Sequence, residues 1–232
     1  MKTDLCSLTT WLWVFATVGI YFFCYWINLY FYDRFRIPKF TSLYVASIII
    51  AVIVYFCGGN YAQYDASGKV VSWLLYPTTV ALAIPLYKNR YEILRNLPEV
   101  ATATIVSSVV SVSSTCLIAY ITNLDEVLKN SLLSKCVTTP VAIEIAKMVG
   151  GIEGIAVCSV CITGIIGAFC GHAILNFIGI KRNITIGLAI GSTSHVIGTT
   201  RCLEKSQAQA AAGALVLITS ALFTAFFVSI VF

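Results

Sequence analysis

The sequence predicts an all-helical protein that crosses a lipid bilayer several times, and three observations carry that reading. Of its 232 residues, 59% are apolar and only 11% are Asp, Glu, Lys or Arg, against roughly 25% charged in an ordinary soluble domain. Its mean hydropathy is +0.89. Several apolar stretches approach the roughly 20 residues that a helix needs to cross a hydrocarbon core, so the solvent for most of the surface is lipid. At roughly 25 residues per span with short loops, residues 1–232 form one integral membrane domain and leave no room for a separate soluble catalytic domain. The net charge is +5, set in short basic clusters between apolar segments. Cytoplasmic loops look like this and nucleic-acid surfaces do not, so nucleic acid is excluded as a partner.

The first apolar segment, 8–32, is dense in rings: Trp11, Trp13, Tyr21, Tyr25, Trp26, Tyr30 and Tyr32. Many sit toward its ends, where interfacial aromatics belong. It is too long for a signal-peptide core and lacks a small-residue cleavage pattern, so it is expected to stay as a span. The second segment, 40–57, stops at Gly58, Gly59 and Asn60. Its β-branched run is acceptable because lipid forces backbone pairing whatever the propensity. The third, 70–87, contains Pro77 and Pro85 and is expected to bend or split. The fourth, 98–121, carries Thr104, Ser107, Ser111 and Ser114 or Thr115 along one helix face. Such a stripe serves either close helix packing or the lining of a polar path.

Beyond a polar linker, short and long apolar pieces alternate: 138–149 short, 152–178 long, 184–203 short and 208–232 long. Both short pieces start with hydroxyl residues and reach a basic residue, Lys147 or Arg201, within about two helical turns. One shift of the sequence superposes Thr139 on Thr193, Ile143 on Ile197, Lys147 on Arg201 and Ala156 on Ala210. A repeat of this kind suggests half-helices that approach from opposite sides, as in inverted-repeat transporters. If both short pieces are re-entrant, Arg34, Arg36, Lys39, Lys88, Arg90, Arg95, Lys181, Arg182, Arg201 and Lys205 share one side. Lys2, Lys69, Lys129, Lys135 and Lys147 then lie opposite. That asymmetry obeys the positive-inside rule, whereas full crossings would move Lys181 and Arg182 outside. The expected fold is all-α and polytopic, with about five spanning helices, two re-entrant or broken half-helices and both termini outside.

The nine cysteines do not suggest a disulfide framework, since most lie in or beside apolar runs. Cys158 and Cys161 spell C-x-x-C inside a hydrophobic helix and read as packing residues. No H-E-x-x-H or G-x-S-x-G occurs, and G-S-T-S at 191–194 is not followed by the G-K-[ST] of a phosphate loop. Neither enzyme chemistry nor a metal or cofactor is expected.

The stretches P-T-T-V-A-L-A-I-P-L-Y-K (77–88), K-C-V-T-T-P-V-A-I-E-I (135–145) with Gly150 and Gly151, and G-L-A-I-G-S-T-S-H-V-I-G-T-T-R (187–201) with Leu203 and Glu204 resemble the LrgB/CidB family. That family also includes the plant plastidic glycolate/glycerate translocator. The resemblance covers roughly residues 70 to 232. It implies a multi-pass protein of the bacterial plasma (inner) membrane, with holin/antiholin-like control of murein hydrolases and autolysis. It further implies a small LrgA/CidA-like membrane partner and, for some members, transport of small organic acids.

The residues suggest how an organic anion would be held. A half-helix ending inside the membrane presents about +0.5 elementary charge and unpaired N–H groups at its N-terminus. Thr139, beside Thr138, suits an N-cap, with Pro140 at the first helical position, and Ser192, Thr193 and Ser194 suit the second start. If the two starts face each other, their hydroxyls and amides match a carboxylate with an adjacent hydroxyl. The same groups would also satisfy broken backbone in a purely structural protein. His195 is ionisable and intramembrane, fit to contact substrate or couple a proton, or else to pack. Glu144 is a second proton-coupling candidate and lies within reach of Lys147. Arg201 serves either as counter-charge for the anion or as complement to a helix dipole. His172 reads as a packing residue. Two functions follow: a monocarboxylate carrier, or a holin-like pore or its modulator acting through homo-oligomerisation.

Overall fold

The computed structural model describes residues 8–35, 41–56, 67–69, 73, 74, 77, 80, 87 and 90–232. The chain divides into two compact units, Met1–Thr79 and Val80–Phe232. In the first, helices α1 (Leu8–Phe35) and α2 (Thr41–Phe56) pack against each other. The stretch Thr10–Tyr30 is long and apolar enough to span, while Val45–Phe56 is a shorter apolar helix. Phe15, Phe22, Phe23 and Trp26 are exposed, as lipid rather than water as solvent allows. The third apolar segment, with its expected break at Pro77 and Pro85, lies largely outside the described residues.

The second unit opens with α3 (Arg90–Arg95) and α4 (Leu97–Ile121), the latter starting with Pro98 and Glu99 in its first turn. Both residues suit a helix start: Pro gives up a donor that has no partner there, and Glu complements the positive dipole end. Three 25-residue helices, α4, α7 (Glu153–Phe177) and α9 (Gln207–Val231), are apolar enough to cross. Each is about 37 Å long, more than the roughly 30 Å hydrocarbon core.

The elements between them return to the side they entered from. Helices α5 (Glu126–Leu132) and α6 (Thr139–Met148) have 7 and 10 residues, about 10 and 15 Å, too short to cross. Asn130 Nδ2 donates to the carbonyl of Val149 at 2.7 Å, and the Ile152 N–H donates to Ser131 Oγ at 2.7 Å. These bonds tie together the two legs of the hairpin. Helix α8 (Asn183–Leu203) has 21 residues but is split at His195, whose φ of 41° and ψ of −135° are not helical. Its two arms fold back on each other: Ile186, Ile190 and Cys202 share one buried cluster, whereas a straight helix would hold Ile186 about 24 Å from Cys202. Gln209 Nε2 then donates to Asn183 Oδ1 at 2.9 Å, so α9 starts where α8 began.

An independent contact agrees with this topology. Thr104 Oγ1 meets Thr219 Oγ1 at 2.7 Å and Thr224 Oγ1 donates to Ser108 Oγ at 2.8 Å. Residue numbers rise together along both helices, so α4 and α9 run the same way, as they must if only α7 crosses back between them. The shift that carries Thr139 onto Thr193 also carries Glu153 onto Gln207 and Phe177 onto Val231, the ends of α7 and α9. The repeat is therefore one of structure: a re-entrant arm followed by a span, twice, in opposite directions.

Local chemistry sets the ends. Asn123, Gly150 and Gly179, all with positive φ, follow α4, α6 and α7. In each case the next residue donates back into the helix: Leu124 to Ala119, Gly151 to Ala146 and Ile180 to Leu175, at 2.9, 2.7 and 2.9 Å. At the end of the second unit where α8 enters lie Arg95, Lys181, Arg182, Arg201 and Lys205, with Arg182 bound to Glu99 at 2.9 Å. At the other end Lys129 pairs with Glu126 and Lys147 with Glu144.

Candidate functional site

The two re-entrant tips touch the same two turns of α7, near its middle. Thr163 Oγ1 of α7 donates to the carbonyl of Lys135, 2.6 Å away in the α5–α6 tip, and also lies 3.0 Å from the carbonyl of Val160. That Val160 carbonyl accepts from His195 Nε2, at the α8 tip, at 2.8 Å. Chemically independent parts of the chain thus converge on 160–163, within the hydrophobic layer.

At the α8 tip, His195 is 3% exposed. Its Nε2 donates to the Val160 carbonyl, which in a neutral imidazole places the lone pair on Nδ1. Its backbone is in the positive-φ region that a side chain disfavours, a local strain of about 1–3 kcal/mol that the surrounding packing must hold. The packing that does so is tight. A Cβ at Gly164 would lie 2.6 Å from His195 Cε1, and one at Gly167 only 1.5 Å from Ser194 Oγ. Only glycine on this face of α7 lets the tip come so close. On its other side α8 meets α9 with backbone against backbone, since a Cβ at Gly191 would lie 2.4 Å from the carbonyl oxygen of Gly213.

Ser192 and Thr193 do not cap the outgoing arm, as sequence reasoning expects. The break falls later, at His195, so they form the last turn of the incoming arm. Their hydroxyls turn back to the carbonyl of Ala189, at 3.1 and 2.9 Å. Ser194 Oγ lies 3.2 Å from Thr193 Oγ1 and faces Gly167. Arg201 is on the outgoing arm, about 9 Å along the axis from the break, and is ion-paired with Glu204. It stands at the mouth of the hairpin and not at its tip.

At the α5–α6 tip the N-cap position of α6 falls to Thr138, one residue before the Thr139 that the sequence suggests, because Thr139 is already helical and Pro140 sits behind it in the first turn. Thr138 is 4% exposed, yet its hydroxyl makes no capping bond and has no partner. Thr139 and Pro140 are half-buried beside it. Glu144 is further along α6, exposed, with its carboxylate 3.2 Å from Lys147 Nζ as the spacing predicts.

The residue that sequence reasoning misses here is Lys135. Counted as a loop charge, it instead reaches α4: its Nζ donates to the carbonyl of Ser111 at 3.0 Å, to Ser114 Oγ at 3.3 Å and to Thr115 Oγ1. A signal was present in K-C-V-T-T-P: a lysine three residues before the cap of a half-helix that begins inside the membrane must itself be deep. The hydroxyl stripe of α4 consequently has two uses. Thr104 and Ser108 pack α4 on α9, while Ser111, Ser114 and Thr115 cradle the lysine. Ser107, expected on the stripe, bonds within its own helix to the carbonyl of Thr104 at 3.1 Å.

Other polar groups serve the frame. His172 Nε2 lies 2.9 Å from Gln209 Oε1, joining α7 to the start of α9 as a packing histidine does. The described cysteines, Cys158 and Cys161 among them, are free thiols.

Comparison with known proteins is concordant over most of the chain. The profile of the LrgB-like family matches residues 21–232. The Antiholin-like protein LrgB of Bacillus subtilis is 30% identical over 179 residues, covering 77% of this chain and 78% of that protein. The protein of the same name from Bacillus mycoides is 31% identical over 172 residues, covering 74% and 75%. A further Bacillus subtilis protein, YxaC, is 34% identical over 173 residues, covering 75% of each chain. No solved structure matches. With the family profile spanning nearly all of the chain and its long apolar helices fit to cross a bilayer, the protein belongs to the LrgB-like family of polytopic membrane proteins.

Proposed function

We propose that this LrgB-family protein is a carrier for small monocarboxylates of the glycolate, glycerate, lactate or pyruvate class, working by alternating access in a bacterial plasma membrane. The observation that carries the reading is the meeting of two opposed re-entrant tips on one segment of α7, His195 at the carbonyl of Val160 and the carbonyl of Lys135 at the hydroxyl of Thr163. Opposed hairpins around a central contact are the geometry in which one site can open to either side. Thr138, Thr139, Pro140, Ser192, Thr193, Ser194 and His195 form the substrate site, and His195 or Glu144 couples a proton. Arg201, held by Glu204 at the mouth, acts on approach of the anion rather than in the pocket. By the positive-inside rule the end bearing Lys181, Arg182, Arg201 and Lys205 faces the cytoplasm and the C-terminus faces out.

A second reading is favoured by the names of the relatives. Proteins 30 and 31% identical to this chain are called antiholin-like. On that reading the chain modulates murein hydrolase activity and autolysis, with a small LrgA/CidA-like partner or as a homo-oligomer. Carriage of an organic acid would alter membrane energetics, so the two readings can be one activity at two levels.

Proteoliposomes separate them. A carrier gives saturable uptake of radiolabelled glycolate or lactate that His195→Ala abolishes while the protein stays folded. Unselective release of an entrapped dye, without saturation, supports the pore and defeats the carrier.

A further inference from the structure

Lys135 is a half-buried cation surrounded by neutral oxygens. Its three ammonium protons are met by the Ser111 carbonyl and by the Ser114 and Thr115 hydroxyls. Those oxygens satisfy hydrogen bonds and cancel no charge. Among the described residues no carboxylate lies within ion-pair distance of it. Its backbone carbonyl meets Thr163 near the middle of α7, so this charge sits within the hydrocarbon layer. A cation kept there without a counter-ion is unfavourable, and such residues mark ion or substrate paths.

Three further features belong to this tip or to the turn of α4 that Lys135 reaches. Helix α6 has its N-cap three residues after Lys135 and directs its positive dipole end and its first amides inward. The Thr138 hydroxyl at that end, on a residue 4% exposed, has no partner. Ser111 is 7% exposed, and its hydroxyl too is unpartnered although its carbonyl receives Lys135. A full charge, a helix dipole and two buried hydroxyls with unused capacity all favour the same kind of ligand.

The geometry points to Lys135, Thr138 and Ser111 as the seat of the substrate carboxylate, with Lys135 as its counter-charge. This assignment rests on the carrier reading and deepens it. The Thr138 hydroxyl and the first amides of α6 donate to one carboxylate oxygen, and Ser111 Oγ donates to the other. One lysine neutralises one negative charge, so a monoanion leaves the occupied tip neutral. A dianion leaves a net negative charge in a low-dielectric layer and is rejected. The site therefore selects monocarboxylates by charge count and leaves discrimination of the rest of the molecule to the α8 tip.

The test uses the full chain purified in detergent and, in parallel, reconstituted in proteoliposomes. At constant ionic strength, glycolate raises the unfolding temperature of the wild type in a saturable way and malonate does not. Lys135→Met raises the half-saturating glycolate concentration by at least about tenfold. Thr138→Val weakens it as well, and Thr138→Ser restores it. If Lys135→Met does not fold, Lys135→Gln replaces it, and the Thr138 pair stands independently. The assignment is overturned if a folded Lys135 variant keeps the wild-type glycolate response, or if the wild type responds to none of glycolate, lactate and acetate. Binding that is lost in the variant, with no uptake by wild-type proteoliposomes, retains this site and defeats the carrier reading. Uptake with equal KM in wild type and variant does the reverse.

Discussion

His195 Nε2 lies 2.8 Å from the carbonyl oxygen of Val160, a bond between the tip of one re-entrant hairpin and the middle of the span that both hairpins share. The Val160 carbonyl belongs to an α-helix and has a second lone pair to offer. Accepting from His195, it fixes the point at which α8 breaks. The hydroxyl of Thr163, one turn on, meets the other hairpin at Lys135. Movement of either tip must therefore disturb the same turn of α7, which is a physical basis for coupling the two halves of the repeat.

Backbone strain at His195 makes one substitution informative. Glycine adopts a φ of 41° without steric penalty. His195→Gly relieves that strain but also empties the space of a buried imidazole and removes its hydrogen bond, so the variant is expected to lose about 1–3 kcal/mol and still fold. Uptake of glycolate should nevertheless vanish. Unfolding temperature and uptake measured on the same preparation check this; a variant that transports normally removes the imidazole from the mechanism.

Gly167 is expected to tolerate no side chain. A Cβ there would lie 1.5 Å from Ser194 Oγ, so Gly167→Ala must push the α8 tip off α7, at about 1–3 kcal/mol or more. The control is Gly154→Ala in the same helix, where nothing lies within 4 Å of the added carbon and the change should be neutral or stabilising by up to about 1 kcal/mol. Equal unfolding temperatures for the two variants would contradict the close contact.

The Thr104–Thr219 pair should act as packing and not as path. Thr104→Val alone leaves the Thr219 hydroxyl, which also lies near its own helix carbonyls, with a modest loss of about 0.5–1.5 kcal/mol. The double change to valine should recover part of that loss, and neither variant should alter KM for glycolate. A double-mutant cycle on unfolding free energies, with uptake beside it, gives the answer.

Orientation is open to chemical labelling. In a background without native cysteines, Lys181→Cys is expected to react with an impermeant maleimide only after the membrane is opened. Lys129→Cys should react on intact cells. Lys181 lies in the connection between α7 and α8 and Lys129 in α5, at opposite ends of the second unit. The reverse pattern would invert the topology and with it the cytoplasmic assignment of the basic cluster.

Much of the architecture was determined by the sequence by itself. Length and hydropathy of the apolar runs specify α4, α7 and α9 to within a residue or so, because the bilayer demands a fixed length of internally bonded helix. Gly150, Gly179 and Asn123 mark helix ends because few residues accept a positive φ. The repeat, too, is written in the chain: the shift matching Thr139 to Thr193 matches the ends of the helices that follow. Tertiary structure alone decided where each polar side chain points. His195 rather than Ser192 takes the break because the glycines of α7 admit an imidazole there, and no local rule contains that fact. Lys135 reads as a loop charge until the hairpin is folded, since its partners Ser111, Ser114 and Thr115 are brought to it from another helix. Spacing along a chain sets which groups share a face, but the desolvation and pairing that give a charge its role depend on neighbours that only the packed hairpins supply.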